Sequence, residues 1–243
     1  MSSSASATTK PTGTNTNTPV SVLLQHATGM FLAPYVGLHL LNHSLTLIPS
    51  DTPFSVANGF TVAVRELYQH PIIEPIGAAA IAVHVAAGMY RFAAVRGLRV
   101  GFSRNTPGYW TRASGLFLAS VIVGHVYFTR IAALMTWGDS TLMDYTYGTW
   151  TVKFYGPVFM VYYVALGSAG AVHLINGWLT IKEKAVANKS LMRLSSTAKF
   201  VNYASIAIIT ASVLAISGYF FDVDILSMRQ FERLKSVSTF GMF

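Results

Sequence analysis

The sequence predicts an all-α membrane protein: a five-transmembrane-helix bundle built from a duplicated two-helix unit plus a fifth helix. Three observations predict it. The 243 residues are 52% hydrophobic and only 11% charged, where a soluble domain carries about 25% charged residues. Five apolar segments are each long enough to cross a hydrocarbon core, which takes about 20 helical residues. Two pairs of those segments repeat each other's sequence. Mean hydropathy is +0.47. The chain has no cysteine, which excludes disulfides, thiolate metal sites and thiol catalysis. Its formal charge is +8, yet no dense Lys/Arg run or nucleic-acid motif accompanies it. The basic excess therefore reads as membrane topology, with the lipid bilayer as partner and no nucleic acid.

Taken in order, residues 1–19, MSSSASATTKPTGTNTNTP, read as a disordered Ser/Thr-rich tail. They show neither the apolar core of a secretory signal nor the arginines of a mitochondrial presequence, so no cleaved targeting peptide is expected. Residues 20–221 read as the transmembrane domain, with spans at 21–48, 72–96, 111–137, 153–181 and 199–221. A continuous helix satisfies its own backbone hydrogen bonds, which lipid cannot do. The last span has no histidine and places Ala207, Ala211 and Ala215 at a spacing that favours close helix packing. Residues 222–243 read as a polar tail, with a short amphipathic helix at the surface over 223–237.

Five spans also sort the charges. The N-terminal tail and the 2–3 and 4–5 connections share one side, with Lys10, Arg91, Arg96, Arg99, Arg104, Arg112, Lys182, Lys184, Lys189, Arg193 and Lys199 against the single acid Glu183. The other side collects Asp51, Glu66, Glu74, Asp139, Asp144, Asp222, Asp224 and Glu232. The Lys/Arg excess makes the first side cytosolic or matrix-like. Trp110, Trp137 and Trp150 fall near helix ends, as an interfacial belt requires.

The repeat carries the functional signal. ATGMFLAPYVGLH at 27–39 matches ASGLFLASVIVGH at 113–125, and AVHVAAG at 82–88 matches AVHLING at 171–177. Each matched segment contains a histidine: His39, His125, His84 and His173. A polar residue inside a membrane is costly and marks a functional site by default. Parallel spans 1 and 3 put His39 and His125 at one depth; spans 2 and 4 put His84 and His173 at another. Two imidazoles at one depth suit the axial positions of a haem iron. Gly88 and Gly177, one turn past their histidines, leave room for a macrocycle. Thr28 and Ser114, three turns before His39 and His125, are placed to hydrogen-bond a ligand or to pack helices. Arg91 on the His84 face, with Arg112 and Arg130 flanking span 3, can meet propionates. The competing reading is structural: membrane histidines hydrogen-bond neighbouring helices, and small-xxx-small glycines are ordinary packing devices. Zinc fits less well, since a structural zinc site takes four ligands together.

His43, one turn after His39, is an alternative ligand or a supporting residue, although Thr129 stands at its repeat position. His26 sits at a helix entry, matched by Arg112, where a headgroup, quinone or propionate contact would lie. His70 reads as a loop residue. No nucleophile–base pair, phosphate loop or paired acids occur within the spans, so hydrolytic and phosphoryl-transfer chemistry has no support.

The run Arg112-Ala-Ser114-Gly115, followed by His125 in the same span, resembles the helix entry of the cytochrome b membrane anchors of succinate dehydrogenase and fumarate reductase. That resemblance implies one or two haem b groups, bound by His39 with His125 and by His84 with His173. The stretches TGMFLAPYVGLHLLNH at 28–43 and DYTYGTWTVKFYGPVFMVYYVALGSAGAVHLINGW at 144–178 resemble the mitochondrial outer-membrane family that contains the fungal mitochondrion–vacuole contact adapter. This second resemblance implies a mitochondrial protein, in the outer membrane or alternatively the inner one, that acts in membrane and lipid homeostasis. Three roles follow as expectations. One is an electron-transfer component exchanging electrons with quinone or a protein partner, and not an enzyme alone. The second is a contact-site or membrane-organising protein without haem, working with lipid-transfer proteins. The third is the anchor subunit of a dehydrogenase.

Overall fold

The computed structural model describes residues 20–94, 104–186, 194–220, 223 and 229–234. The tail at 1–19, Arg96 and Arg99, Lys189 and Arg193, and most of the 222–243 tail lie outside the described residues. All regular structure among the described residues is helical: α1 Val20–Leu45, α2 Ser55–Tyr68, α3 Ile73–Ala94, α4 Pro107–Val126, α5 Ala132–Trp137, α6 Tyr145–Tyr155, α7 Pro157–Val186 and α8 Ser196–Ile216. A single π-helical turn, Tyr127–Ile131, joins α4 to α5.

Local chemistry sets the boundaries. Thr106 caps α4 by accepting from the Tyr109 N–H, with Pro107 in the first turn. Asp144 caps α6 through the Thr146 N–H, and Ser195 caps α8 through the Ala198 N–H. Gly138 ends α5 at φ 71° and Gly156 ends α6 at φ 82°, left-handed backbone that glycine adopts without strain. Pro157 then opens α7. The expected span 153–181 is thus divided: residues 145–155 form a separate short helix, and the long one starts at Pro157.

Among the described residues, four helices are long and apolar enough to cross a membrane: Ile73–Ala94, Pro107–Trp137, Pro157–Lys182 and Ser196–Ile216. The chain is therefore an α-helical membrane protein, with four such helices where five were expected. The difference is α1. Its 26 residues span about 39 Å at 1.5 Å each, but Gln25, His26, His39, Asn42 and His43 dilute its apolar character.

The helices pack as two antiparallel pairs, α1 with α3 and α4 with α7, and α8 lies against α7 and α1. Side-chain contacts fix the directions. Gln25 and Thr28 of α1 meet Arg91 and His84 of α3, in reversed order. Thr111 and Ser114 of α4 meet Thr180 and His173 of α7 likewise. Asn176 donates to Asn202 at 2.9 Å within the interior, tying α7 to α8. One end of the bundle is capped by α2, α6 and a 3-10 turn, Arg229–Leu234. Phe231 and Leu234 are buried there with Ala132, Ala133, Met143 and Trp150. This part of the C-terminal tail packs into the protein, where a helix on the membrane surface was expected. Arg65 of α2 ties the cap together by donating to the Thr141 and Met143 carbonyls, each at 2.6 Å.

Candidate functional site

Between the helix pairs lies a cavity of about 1660 Å³, lined by His39, His43, His84, His125 and His173. Protein interiors otherwise hold few voids larger than a water molecule. The histidines form two layers. Thr28 lies at the depth of His84, and Ser114 at the depth of His173. Eleven residues separate Thr28 from His39 and Ser114 from His125, so the layers stand about 16 Å apart along the helices.

In the first layer the His84 and His173 ring centroids are 6.0 Å apart, with the planes at 89°. Each ring is held by its Nδ1. That of His84 lies 3.1 Å from the Gln25 carbonyl and 3.2 Å from the Thr28 hydroxyl. That of His173 lies 3.0 Å from the Thr111 carbonyl and 3.4 Å from the Ser114 hydroxyl. A carbonyl can only accept. The Thr28 hydroxyl gives its proton to the Leu24 carbonyl and the Ser114 hydroxyl gives its own to the Trp110 carbonyl, each at 2.6 Å. Both Nδ1 atoms must therefore carry the proton and donate it. The lone pair is left on Nε2 of each ring. Neither ring has a proton to offer the other.

Glycines let the rings sit there. A Cβ on Gly115 would stand 2.8 Å from His173 Cε1, and one on Gly29 would stand 3.0 Å from His84 Cε1. Gly88 faces Gln25 and Gly177 faces Thr111, at 3.1 and 3.9 Å from an added Cβ. All four glycines line the cavity. Gly88 and Gly177 let each helix pair close up beside its histidine. Arg91 donates to the Gln25 side chain, and Arg91 and Arg112 both line this end of the cavity.

The second layer is different. His39 and His125 have ring centroids 6.2 Å apart at 69°, but His39 also meets His43, with their Nε2 atoms at 3.3 Å. Tyr35 stacks on His39, and Tyr145 packs edge-on against His43. Burial raises the Tyr145 phenol above its ordinary pKa, so it stays neutral. Arg130, in the π turn, makes a two-pronged ion pair with Glu74 at 2.6 and 2.7 Å. His70 accepts from the Ile72 N–H outside the bundle.

The structure thus brings together His84 with His173, and His39 with His125. It puts Thr28 and Ser114 on the first pair. Sequence reasoning set them on the face of the second, three turns away. It singled out none of Gln25, Thr111 and Gly29, and named Gly115 only within the Arg112–Gly115 run. The two glycines carry a signal, since they follow Thr28 and Ser114 at the same offset in both repeats. The carbonyls of Gln25 and Thr111 carry none, because a backbone acceptor leaves no mark on residue type.

Donor chemistry decides which metal group fits. Among the described residues no group of three or more His, Cys, Asp or Glu could hold a metal ion. A haem needs only two protein ligands, because the porphyrin supplies the rest. The ring centroids of His84 and His173 are 6.0 Å apart and those of His39 and His125 are 6.2 Å apart, so either pair would be close enough to hold one haem; what sets the first layer apart is its Nδ1 bonding. Each of its rings has the Nδ1–H to carbonyl bond that ligating histidines almost always make. No family model, curated protein or solved structure matches the chain.

Proposed function

We propose that this chain is a five-span membrane cytochrome of b type, with one haem held between His84 and His173. The observation that carries the reading is the pair of fixed tautomers: two neutral imidazoles, each tied by Nδ1–H to a backbone carbonyl, present two bare Nε2 lone pairs across one cavity. Each Nδ1 ties its ring to the neighbouring helix, as a structural histidine would; what a purely structural role leaves unused is Nε2, which makes no hydrogen bond among the described residues. Gln25, Thr28, Thr111 and Ser114 orient the ligands, Gly29 and Gly115 seat them, and Arg91 and Arg112 stand where propionates would need cations. When bound, haem supplies one-electron exchange with quinone or a protein partner. The matched hydrogen bonds around His84 and His173 also support the reading of α1–α3 and α4–α7 as copies of one unit, with α1 as the fifth span.

The cellular setting we infer is a mitochondrial membrane and its lipid homeostasis, supported by the sequence resemblance at 28–43 and 144–178. The test of the molecular function is spectroscopic. Protein expressed with haem supplied and purified in mild detergent should show a Soret band and sharp α and β bands on dithionite reduction. Protein that carries no haem after such expression would remove the proposal.

A further inference from the structure

The end of the cavity beside His39 and His43 holds polar atoms that haem binding between His84 and His173 does not use. We propose that this end binds the glycerol head of a neutral lipid of the diacylglycerol class, which enters sideways between α1, α2 and the first turn of α3. The site lies about 16 Å along the helices from His84 and His173, and the inference does not depend on haem.

Unpartnered polar atoms carry it. Five buried side-chain oxygens have no hydrogen-bond partner among the described residues, and three of them, on Asn42, Tyr68 and Ser140, belong to residues that line the cavity. Buried polar groups are nearly always bonded, and an orphan is costly. Asn42 and Ser140 are only 6% and 2% exposed. The orientation of the Asn42 amide is fixed. Its Nδ2 donates to Thr61 Oγ1 at 2.6 Å, and the Thr61 proton goes to the Ala57 carbonyl at 2.9 Å. The orphan Oδ1 only accepts, so its partner must be a donor. A hydroxyl meets that need; an oxidised quinone, which only accepts, does not. Tyr68 lies seven residues after Thr61 and packs on Tyr35, seven residues before Asn42, with ring centroids 4.5 Å apart. Asn42 and Tyr68 are thus rooted about 10 Å apart along the helices. That suits a head with a donor at one place and an acceptor at another. The hydroxyl of a diacylglycerol would donate to Asn42 Oδ1, and an ester carbonyl would accept from the Tyr68 phenol. Ser140, beside the Thr141 carbonyl that Arg65 holds, can bond to either group. A sterol, with a single hydroxyl, leaves the ester position empty.

Depth and charge agree with this occupant. α3 begins at Ile73, eleven residues before His84, so its first turn lies level with His39, where lipid heads meet the hydrocarbon core. Tyr35, Leu67 and Ile76 line the cavity and are also exposed, which gives it a mouth toward the acyl chains. The nearby cations are committed: Arg130 pairs with Glu74, and Arg65 donates to two carbonyls. The site therefore favours an uncharged head over a phosphate.

The test uses the full-length protein in phosphatidylcholine nanodiscs containing a photoactivatable diacylglycerol, with label counted per chain. Labelling should saturate and be displaced by unlabelled diacylglycerol, and much less well by a sterol, a long-chain benzoquinone or phosphatidic acid. Tyr68→Phe and Ser140→Ala each delete an oxygen that no described residue uses, so both should fold, with helicity and elution volume as the check. Each should bind about 2- to 10-fold more weakly, the loss of one hydrogen bond. Ser168→Ala deletes an orphan oxygen on a residue that does not line the cavity and should bind as the wild type does. So should His84→Gln, which separates this inference from the cytochrome reading. Labelling that does not saturate would overturn the inference, as would folded Tyr68→Phe and Ser140→Ala variants that label like the wild type. A sterol, quinone or phosphatidic acid that competes as well as diacylglycerol would overturn the choice of occupant.

Discussion

Replacing Gly115 with alanine puts a methyl group against the His173 ring, the proposed haem ligand. The added Cβ would stand 2.8 Å from His173 Cε1 and 3.1 Å from Nδ1, where ordinary contact begins at 3.4 Å. The ring must retreat by about 0.6 Å, the difference between those distances. It cannot do so freely, because Nδ1 is tied to the Thr111 carbonyl at 3.0 Å. Overpacking of this kind costs about 1–3 kcal/mol. If about 1–2 kcal/mol of it falls on the liganded geometry, haem is held roughly 5- to 30-fold less tightly. Global stability is the wrong readout, since alanine in a helix gains about 1 kcal/mol over glycine and offsets part of the loss. The assay is haem content per chain after dilution into a haem-accepting apoprotein, with the α band as a check on ligation. Gly115→Ala should lose haem fastest and Gly29→Ala, with 3.0 Å to His84, next. Gly177→Ala should stay close to wild type, as should Gly124→Ala, where nothing lies within 4 Å. Equal retention in Gly115→Ala and Gly124→Ala would mean that the seat of the His173 ring does not govern haem binding.

Other consequences are as direct. If α1 crosses the membrane, single cysteines placed at Asn17 and Ser190 of this cysteine-free chain should react with an impermeant thiol reagent from one side, and one at Asp51 from the other; a helix that does not cross would put Asn17 and Asp51 on the same side. Asn176→Ala breaks the interior bond to Asn202 and should lower unfolding stability in detergent by about 0.6–1.7 kcal/mol, the range for hydrogen bonds between membrane helices. Asp139, in the loop after α5, is held below the ordinary aspartate pKa by the Thr141 hydroxyl and then by the Thr141 N–H. A lowered folded-state pKa means that the loop's bonds are complete above the ordinary aspartate value and are lost as pH falls through the lowered one. Thr141→Val should move the Asp139 carboxyl titration, followed by NMR, back upward by removing the hydroxyl.

Much of this architecture was legible because its signals are local. Long apolar runs mark the spans within a few tens of residues, whereas the Thr106 and Ser195 caps and the Gly138 and Gly156 stops were not read. The short helices α2 and α6 were not foreseen. SVANGFTVAVRELY interleaves polar and apolar residues and cannot span, and the YGP at 155–157 is a helix stop and start hidden inside an otherwise apolar stretch. The histidine pairs were legible from the repeat, since matched positions on parallel helices share a depth. The partners of Thr28 and Ser114 were not, because the register between antiparallel helices decides them. Sharing a helix face with His39 does not bring Thr28 within reach of it across three turns. His84, coming down the neighbouring helix, meets Thr28 at that depth. The asymmetry between the layers follows from one substitution in the repeat, His43 for Thr129.

The central claim is that His84 and His173 together hold one haem. Difference spectra, reduced minus oxidised, of the wild type and of His84→Ala, His173→Ala, His39→Ala and His125→Ala test it most directly. Low-spin bands are expected in the wild type, to vanish alike in His84→Ala and His173→Ala and to persist in His39→Ala and His125→Ala. Bands lost equally in all four variants, or lost only from the His39 and His125 variants, would contradict it.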